Sequence, residues 1–189
     1  PFYKTEKRKL IRNGLTLLKN KGGVVPLKNL EAYKVASLAI GSGDSDPFSE
    51  TLKNYTAVDT FLVKKENILE HKERLEKKFS EYNTLIVSIQ ETSQWPYRNY
   101  GLTRSMITFL DELEFKGNLI LSIFGNPYIL NRLKGTAKFQ GLLIAFDDED
   151  VTKELAAQGL FGAFSLKGIL PVSAGGDYVS GSVMESEAI

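Results

Sequence analysis

The sequence contains two short apolar runs without a charged residue, NTLIVSI at residues 83–89 and NLILSIF at residues 118–124. Runs of this length are typical of β-strands, and strands that are apolar along both faces are buried on both faces of a parallel sheet. Such a sheet needs helices on each side, because its apolar faces must be covered. The two runs therefore favour an α/β fold.

Helix and strand patterns alternate around these runs. Further strands are predicted at residues 33–40, 57–63 and 141–146, with an edge strand at residues 169–173. Helices are predicted from apolar spacing and start signals at residues 4–20, 46–55, 66–79, 100–115 and 151–161. The first of these depends on the i, i+4, i+7 spacing of Ile11, Leu15 and Leu18.

This alternation predicts a three-layer α/β/α sandwich. Its sheet is expected to be doubly wound and mostly parallel, with five to six strands in a flavodoxin-like arrangement. We assign residues 1–176 to a single α/β domain. Residues 177–189 follow a stretch rich in Ser and Gly, and we interpret them as a linker or a frayed C-terminal tail.

Charge and composition exclude several classes of protein. Lys and Arg number 24 against 23 Asp and Glu, so the chain lacks the basic excess that binds nucleic acid or an anionic membrane. It contains no cysteine, which excludes disulfides and thiolate metal sites. No apolar run approaches the roughly 20 residues that span a bilayer. The chain begins at Pro1 rather than Met, so we interpret it as part of a longer polypeptide.

Ligands of doubly wound sheets bind beyond the carboxyl ends of the strands, so the loops at that edge are the candidates. The first loop, GSGDSD at residues 41–46, begins like a dinucleotide-binding loop but lacks the third glycine. The carboxylates of Asp44 and Asp46 would repel a phosphate. We therefore interpret Asp46 as the N-cap of a helix that has Pro47 at its first position.

The second loop, at residues 90–100, contains the only tryptophan of the chain. Trp95 and Tyr97 offer aromatic faces beside the guanidinium of Arg98, and the following loop at residues 125–127 adds the amide of Asn126. These four side chains are the candidates for stacking on a sugar and binding its hydroxyls. The same residue types suit contact with another domain, because aromatic residues and Arg are enriched at interfaces, and we favour that interpretation.

Two other features, an acidic run and a histidine, contain residue types that are common in catalytic and metal sites. The run DDED at residues 147–150 has the composition of a metal or acid–base site, but acidic side chains are also favoured at a helix N-terminus. No set of partner ligands is evident, so we interpret the run as a helix cap and predict no metal, cofactor or catalytic residue. His71, the single histidine, falls on the solvated face of a predicted helix, unlike the imidazole of a catalytic triad.

Ordered short motifs give the sequence a family resemblance. The most specific are ELAAQ at residues 154–158, LFGA at 160–163 and GILPV at 168–172; LTLLKN at 15–20, VPL at 25–27 and FGNPY at 124–128 add to them. Together, the sequence resembles the C-terminal α/β domain of glycoside hydrolase family 3, in particular bacterial β-N-acetylhexosaminidase-like members. The resemblance covers nearly the whole chain.

The resemblance implies a parent enzyme that cleaves terminal β-linked sugars with retention of configuration. It also implies that the nucleophile, and in this branch the acid/base pair, lie on a preceding N-terminal barrel domain. Other branches place the acid/base carboxylate on the C-terminal domain, but no motif transfers that role to Glu91, Asp148 or Glu149. The implied partners are the barrel and the parent's carbohydrate substrate, with no nucleic acid and no membrane contact. A periplasmic or cell-envelope location of the parent is compatible with the resemblance.

Two functions from different classes follow from the sequence. The first is a non-catalytic C-terminal domain that packs on the barrel of a β-N-acetylhexosaminidase-type glycosidase, so that this chain alone is inactive. The second is a carbohydrate-binding module that uses the loop at residues 95–100. A third, an independent flavodoxin-like protein that binds a small ligand, is disfavoured by the acidic first loop.

Overall fold

The computed structural model describes residues 2–189, so Pro1 lies outside the described part of the chain. The fold is built on a six-stranded sheet with helices between the strands. The strands are β1 (Thr16–Asn20), β2 (Val35–Ile40), β3 (Val58–Val63), β4 (Thr84–Ile89), β5 (Asn118–Phe124) and β6 (Gly141–Ala145). The helices are α1 (Phe2–Gly14), α2 (Pro47–Leu52), α3 (Lys72–Phe79), α4 (Arg104–Glu112) and α5 (Asp150–Leu160).

The strand order is β1-β6-β5-β4-β2-β3. Strands β2 to β6 are parallel to one another, and β1 is antiparallel to β6. Counted alone, the five parallel strands have the 2-1-3-4-5 order of flavodoxin-like sheets, whose topological switch point lies between the first and third strands. In this chain those strands are β2 and β4, which pair from Val35↔Thr84 to Ile40↔Ile89. The predicted fold class is confirmed.

A separate apolar core lies on each face of the sheet. Helices α3 and α4 cover one face, where their contribution includes Leu75, Phe79, Met106, Phe109 and Leu110. Helices α2 and α5 cover the other face, where they contribute Phe48, Leu52, Leu155, Ala156, Ala157 and Leu160. Strand residues alternate between the two cores, so the central strands are buried on both sides as their sequences predict.

The predicted helix at residues 4–20 was wrong in its second half. Helix α1 ends at Gly14, and β1 follows as an antiparallel edge strand in which Thr16 pairs with Ile144 and Asn20 with Gly141. Both Leu15 and Leu17 are buried in the core that α2 and α5 cover. The spacing of Ile11, Leu15 and Leu18 fits a helix locally. In the folded chain residues 16–20 pair with β6 instead, which places Leu17 in the core.

The predicted edge strand at residues 169–173 was also wrong. That edge of the sheet belongs to β1, and the C-terminal segment lies beside it. The backbone N–H of Gly168 donates to the carbonyl of Leu15 at 3.1 Å, and that of Met184 donates to the carbonyl of Leu17 at 2.7 Å. Residues after 176 therefore contact the body of the fold; the division at residue 176 stays a prediction.

Candidate functional site

The carboxyl ends of the parallel strands meet at one edge of the sheet, which we call the carboxyl edge. Five loops form it, at residues 41–46, 64–71, 90–101, 125–128 and 146–149. They include the loops identified from the sequence, so the candidate side chains are brought to one region of the surface. Their hydrogen bonds decide what each loop can do.

A buried polar network lies at the switch point. The Asp46 side chain, 2% exposed, accepts from the backbone N–H groups of Phe48 and Ser49, each at 3.1 Å, and from the Ser49 hydroxyl. It also accepts from Gln90 Nε2 at 2.8 Å, and Gln90 in turn donates to Ser88 Oγ at 2.9 Å. This network links β4 to the start of α2.

The network confirms the predicted cap at Asp46. The carboxylate occupies the free N–H groups at the start of α2 that a bound phosphate would otherwise use. Its negative charge at that position also opposes any anion. This loop is therefore built as a closed helix start, and a nucleotide-binding role is disfavoured on geometry as well as on charge.

Lys65 crosses the switch point from the end of β3. Its side chain is only 8% exposed, and its ammonium donates to the carbonyl oxygen of Glu91. The path over β2 exists because Gly41 has no side chain: a Cβ there would lie 2.5 Å from Lys65 Cε. Burial lowers the pKa of Lys65 below its ordinary value of 10.5, although Glu91, Glu66 and Asp148 act in the opposite direction. This role was not predictable from the sequence, because Lys65 stands in a charged run that is typical of a solvated surface.

Asp148 holds the other side of the same loop. Its Oδ2 accepts from the backbone N–H of Glu91 at 2.5 Å, and its Oδ1 lies 3.0 Å from the ammonium of the buried Lys153. Burial raises the pKa of Asp148, while Lys153 and the Glu91 N–H act to lower it. Because the carboxylate is engaged on both oxygens, it is not presented as a free acid or base.

The acidic run at residues 147–150 does not cap α5 as predicted. Glu149 at the N-cap position makes no side-chain cap hydrogen bond, and Asp148 is turned to Glu91 and Lys153 instead. Asp147 alone bonds locally, since its Oδ1 accepts from the N–H of Glu149 at 3.0 Å. Within residues 2–189, no group of three or more acidic or histidine side chains is placed to hold a metal ion.

One exposed part of this edge is aromatic. We call the side chains of Trp95, Tyr97, Arg98, Asn126 and Tyr128 the aromatic surface. Trp95 is 58% exposed and Tyr97 is 76% exposed, and their ring centroids are 5.9 Å apart with a tilt of 33°. The guanidinium carbon of Arg98 lies 5.8 Å from the centre of the Tyr97 ring. An exposed cluster of this composition is typical of a contact surface.

The four predicted sugar contacts are all part of this surface. Asn126 reaches the tryptophan loop, because its Nδ2 donates to the carbonyl of Gln94 at 3.4 Å. Its Oδ1 also accepts from the N–H of Tyr128 at 3.0 Å, which caps the short helix that follows. Tyr128 was not among the predicted residues. Sugar binding by Trp95, Tyr97, Arg98 and Asn126 stays a prediction.

Comparison with solved structures finds the same fold in larger enzymes. A glycoside hydrolase family 3 β-N-acetylglucosaminidase from Paenibacillus sp. str. FPU-7 matches with a TM-score of 0.70 and 16% identity, over 91% of this chain and 33% of that chain. The beta-glucoside phosphorylase BglX matches with a TM-score of 0.62 and 18% identity, over 91% of this chain and 32% of that chain. A β-glucosidase from Listeria innocua matches with a TM-score of 0.64 and 16% identity, over 89% of this chain and 26% of that chain.

The chain has the fold of one domain of a glycoside hydrolase family 3 enzyme. The resemblance found in the sequence is thus confirmed at the level of the fold. The chain spans about a third of the length of the first two of these structures and about a quarter of the third, which fits one domain of a multidomain protein. No protein-family model and no curated protein matches the sequence. None of the helices in the described residues has the length and apolar character to cross a membrane.

Proposed function

We propose that this chain is the non-catalytic C-terminal α/β domain of a retaining glycosidase of the β-N-acetylhexosaminidase type. In this proposal it packs on a barrel domain of the same longer chain through the aromatic surface and stabilises that barrel. The observation that carries the proposal is the exposed aromatic surface. In the matched glycosidase and phosphorylase structures, the same fold makes up a quarter to a third of the chain.

The state of the carboxylates at the carboxyl edge supports a non-catalytic role. Retaining hydrolysis uses two carboxyl groups about 5–5.5 Å apart, one of which must give up and take a proton. Asp46 is buried and accepts from four donors, and Asp148 is engaged by Lys153 and the Glu91 N–H. Both of these carboxylates are held by protein groups, which disfavours that exchange at Asp46 and Asp148.

The first experiment tests whether the chain is inactive alone. The purified chain is expected to fold and to show no hydrolysis of a chromogenic N-acetylglucosaminide above buffer. Turnover by this chain at a rate typical of glycosidases would refute the non-catalytic role.

The second experiment tests the packing surface in the full-length parent enzyme. Trp95→Ala and Tyr97→Ala are expected to lower the melting temperature of the barrel and its activity together, because they remove contact area at the interface. Tyr3→Ala is the matched control, since Tyr3 on α1 is 77% exposed but lies outside the aromatic surface. Equal, negligible effects of all three substitutions would contradict packing through this surface.

A carbohydrate-binding module is the second candidate. The paired rings of Trp95 and Tyr97 favour it, because two adjacent exposed rings can stack on successive sugars. Calorimetry with N-acetylglucosamine oligomers tests it on the isolated chain. Heat that Trp95→Ala abolishes and Tyr3→Ala leaves unchanged would support it, and no heat with the wild-type chain would remove it.

A further inference from the structure

We propose that Lys65, Asp148 and the peptide groups of Glu91 form a clamp that sets the conformation of residues 91–101 before any partner binds. In this clamp, Lys65 is a positioning residue for the aromatic surface. The inference rests on the proposed function, because it concerns the surface to which packing of another domain is assigned there. Its own test, however, needs only the isolated chain.

The clamp acts on both polar groups of a single residue. The Glu91 N–H donates to Asp148 Oδ2 at 2.5 Å, and the Glu91 carbonyl accepts from the ammonium of Lys65. Glu91 itself has a φ of 50°, a left-handed conformation that residues with a side chain seldom adopt. Such a conformation persists when its surroundings hold it, and these two side chains are the groups that hold it.

Lys65 and Asp148 are each held in place by a further polar contact. Lys65 is fixed at its own backbone, where its carbonyl accepts from Thr103 Oγ1 at 3.1 Å at the start of α4. Asp148 is fixed by Lys153, which is buried like Lys65. Burying an ammonium is costly, so the burial of Lys65 against Glu91 and of Lys153 against Asp148 is not explained by surface solubility. The lowered pKa of Lys65 is consistent with that cost.

The conformation set at Glu91 is transmitted to the aromatic surface over a few residues. The next residue, Thr92, donates from its hydroxyl to the carbonyl of Phe124 at 2.6 Å. The N–H of Ser93 then donates to the carbonyl of Tyr100 at 2.9 Å, which closes the loop around Trp95. The loop is therefore fixed at its start by the clamp and at its neck by the Ser93–Tyr100 bond.

A loop that is fixed in advance loses less conformational entropy when a partner binds. Removing the Lys65 ammonium leaves the Glu91 carbonyl without its donor, and residues 91–101 then sample other conformations. The chain offers a direct reporter, because Trp95 is its only tryptophan and lies in this loop. Its fluorescence anisotropy and its quenching by acrylamide report on the loop alone.

The test compares Lys65→Met with Lys64→Met, because Lys64 is the exposed neighbour of Lys65 in sequence. Lys65→Met keeps most of the buried apolar stem and removes the ammonium. We expect lower Trp95 anisotropy, stronger acrylamide quenching and roughly tenfold faster hydrogen exchange of the Glu91 amide, since exchange reports local opening. Lys64→Met is expected to match the wild type in all three measurements.

If Lys65→Met is folded and matches Lys64→Met in anisotropy, quenching and Glu91 exchange, the clamp does not exist. If Lys65→Met fails to fold, Asp148→Ala tests the clamp instead, because it removes the acceptor of the Glu91 N–H. Wild-type anisotropy and quenching of Trp95 and wild-type exchange of the Glu91 amide in that variant would overturn the proposal. A loosened loop in the isolated chain, with unchanged activity and melting of the full-length parent, would support the clamp and contradict packing through the aromatic surface. The two proposals can therefore fail separately.

Discussion

Asp46 joins three elements through one side chain. Its carboxylate accepts from the first turn of α2 and from Gln90, which follows β4, while Ser49 passes the contact to Ser37 of β2 through a 2.7 Å hydroxyl pair. All of these polar groups are buried. Because buried donors need acceptors, the whole network depends on the carboxylate at its centre.

Replacing Asp46 with Ala is therefore expected to destabilise the fold by about 2–5 kcal/mol, of which a lost N-cap is about 1–2 and a stranded Gln90 donor about 1–3. Asp46→Asn keeps an acceptor oxygen and should cost less. Urea denaturation of the two variants measures both values. Equal stability of Asp46→Ala and the wild type would contradict the role of the network.

Lys65 gives a prediction about alkaline pH. Its pKa is lowered in the folded chain and is close to 10.5 when unfolded, so between those values the unfolded chain binds more protons. The contribution of Lys65 to the free energy of unfolding is therefore lowest at pH values below its folded pKa, and it rises as the pH increases toward 10.5. The stability of Lys65→Met relative to the wild type should fall over that window.

Denaturant titrations of the wild type, Lys65→Met and Lys64→Met at several pH values from neutral pH up to 10.5 measure the effect. Other titrating groups, including Tyr82 with a pKa raised to about 12, are common to all three chains and cancel in the comparison. A difference between wild type and Lys65→Met that does not depend on pH would mean that the ammonium is not buried at a cost.

The sequence predicted Asp46 but not Lys65, for a physical reason. An Asp-Pro pair before an apolar residue specifies a helix start within a few residues, so local sequence suffices. Lys65 acquires its role from Gly41 and Glu91, which lie in the loops after β2 and β4 and come together only in the folded sheet. The aromatic surface was partly predictable, because Trp95 and Tyr97 are two residues apart in sequence, whereas Tyr128 lies on the following loop.

Among the elements, the central strands were predictable and the edges were not. Strands β4 and β5 are apolar on both faces, and strands of that composition are stable in water only inside a sheet that is covered on both sides. Around β1, the spacing of Ile11, Leu15 and Leu18 also fits a helix, and only the pairing of Thr16–Asn20 with β6 shows that this segment is a strand. The predicted strand at residues 169–173 failed for the same reason, since an edge position is a property of the assembled sheet.

The turn after β5 shows how closely two of these elements approach. A Cβ at Gly125 would lie 2.0 Å from the hydroxyl oxygen of Thr92, and Gly125 has a φ of 152°. Gly125→Ala is therefore expected to displace Thr92, break its bond to the Phe124 carbonyl and destabilise the chain by about 1–3 kcal/mol.

Thermal denaturation checks that loss, with Trp95 fluorescence as a local probe of the displaced loop. The double variant Gly125→Ala/Thr92→Ala removes the hydroxyl that the new methyl group meets. It should lose less stability than the sum of the two single variants. Strict additivity would show that the two residues do not contact each other.

At the scale of the whole molecule, one sheet separates two cores and belongs to both. Phe48 is buried on the α2 side, with its ring centroid 5.3 Å from that of Phe124, and Phe109 is buried on the α4 side. Because every central strand contributes to both cores, neither can unfold while the other stays intact.

Phe48→Ala and Phe109→Ala are each expected to cost about 3–5 kcal/mol and to leave a single cooperative transition. Far-UV circular dichroism and Trp95 fluorescence should give the same midpoint in each variant. Midpoints that separate in one variant would mean that the two faces of the sheet unfold independently.

The antiparallel pairing of β1 with β6 has a consequence for synthesis on the ribosome. Within this domain, β1 is synthesised before the other strands and must wait for its partner β6, which follows roughly 120 residues later, or roughly 6–25 s at about 5–20 residues per second. Its neighbour on the open side, the Met184 N–H that bonds to Leu17, emerges later still. In the nascent chain, β1 therefore stays without its sheet partner while the other strands of this domain are made, and it joins the sheet among the last elements although it precedes the other five strands in sequence.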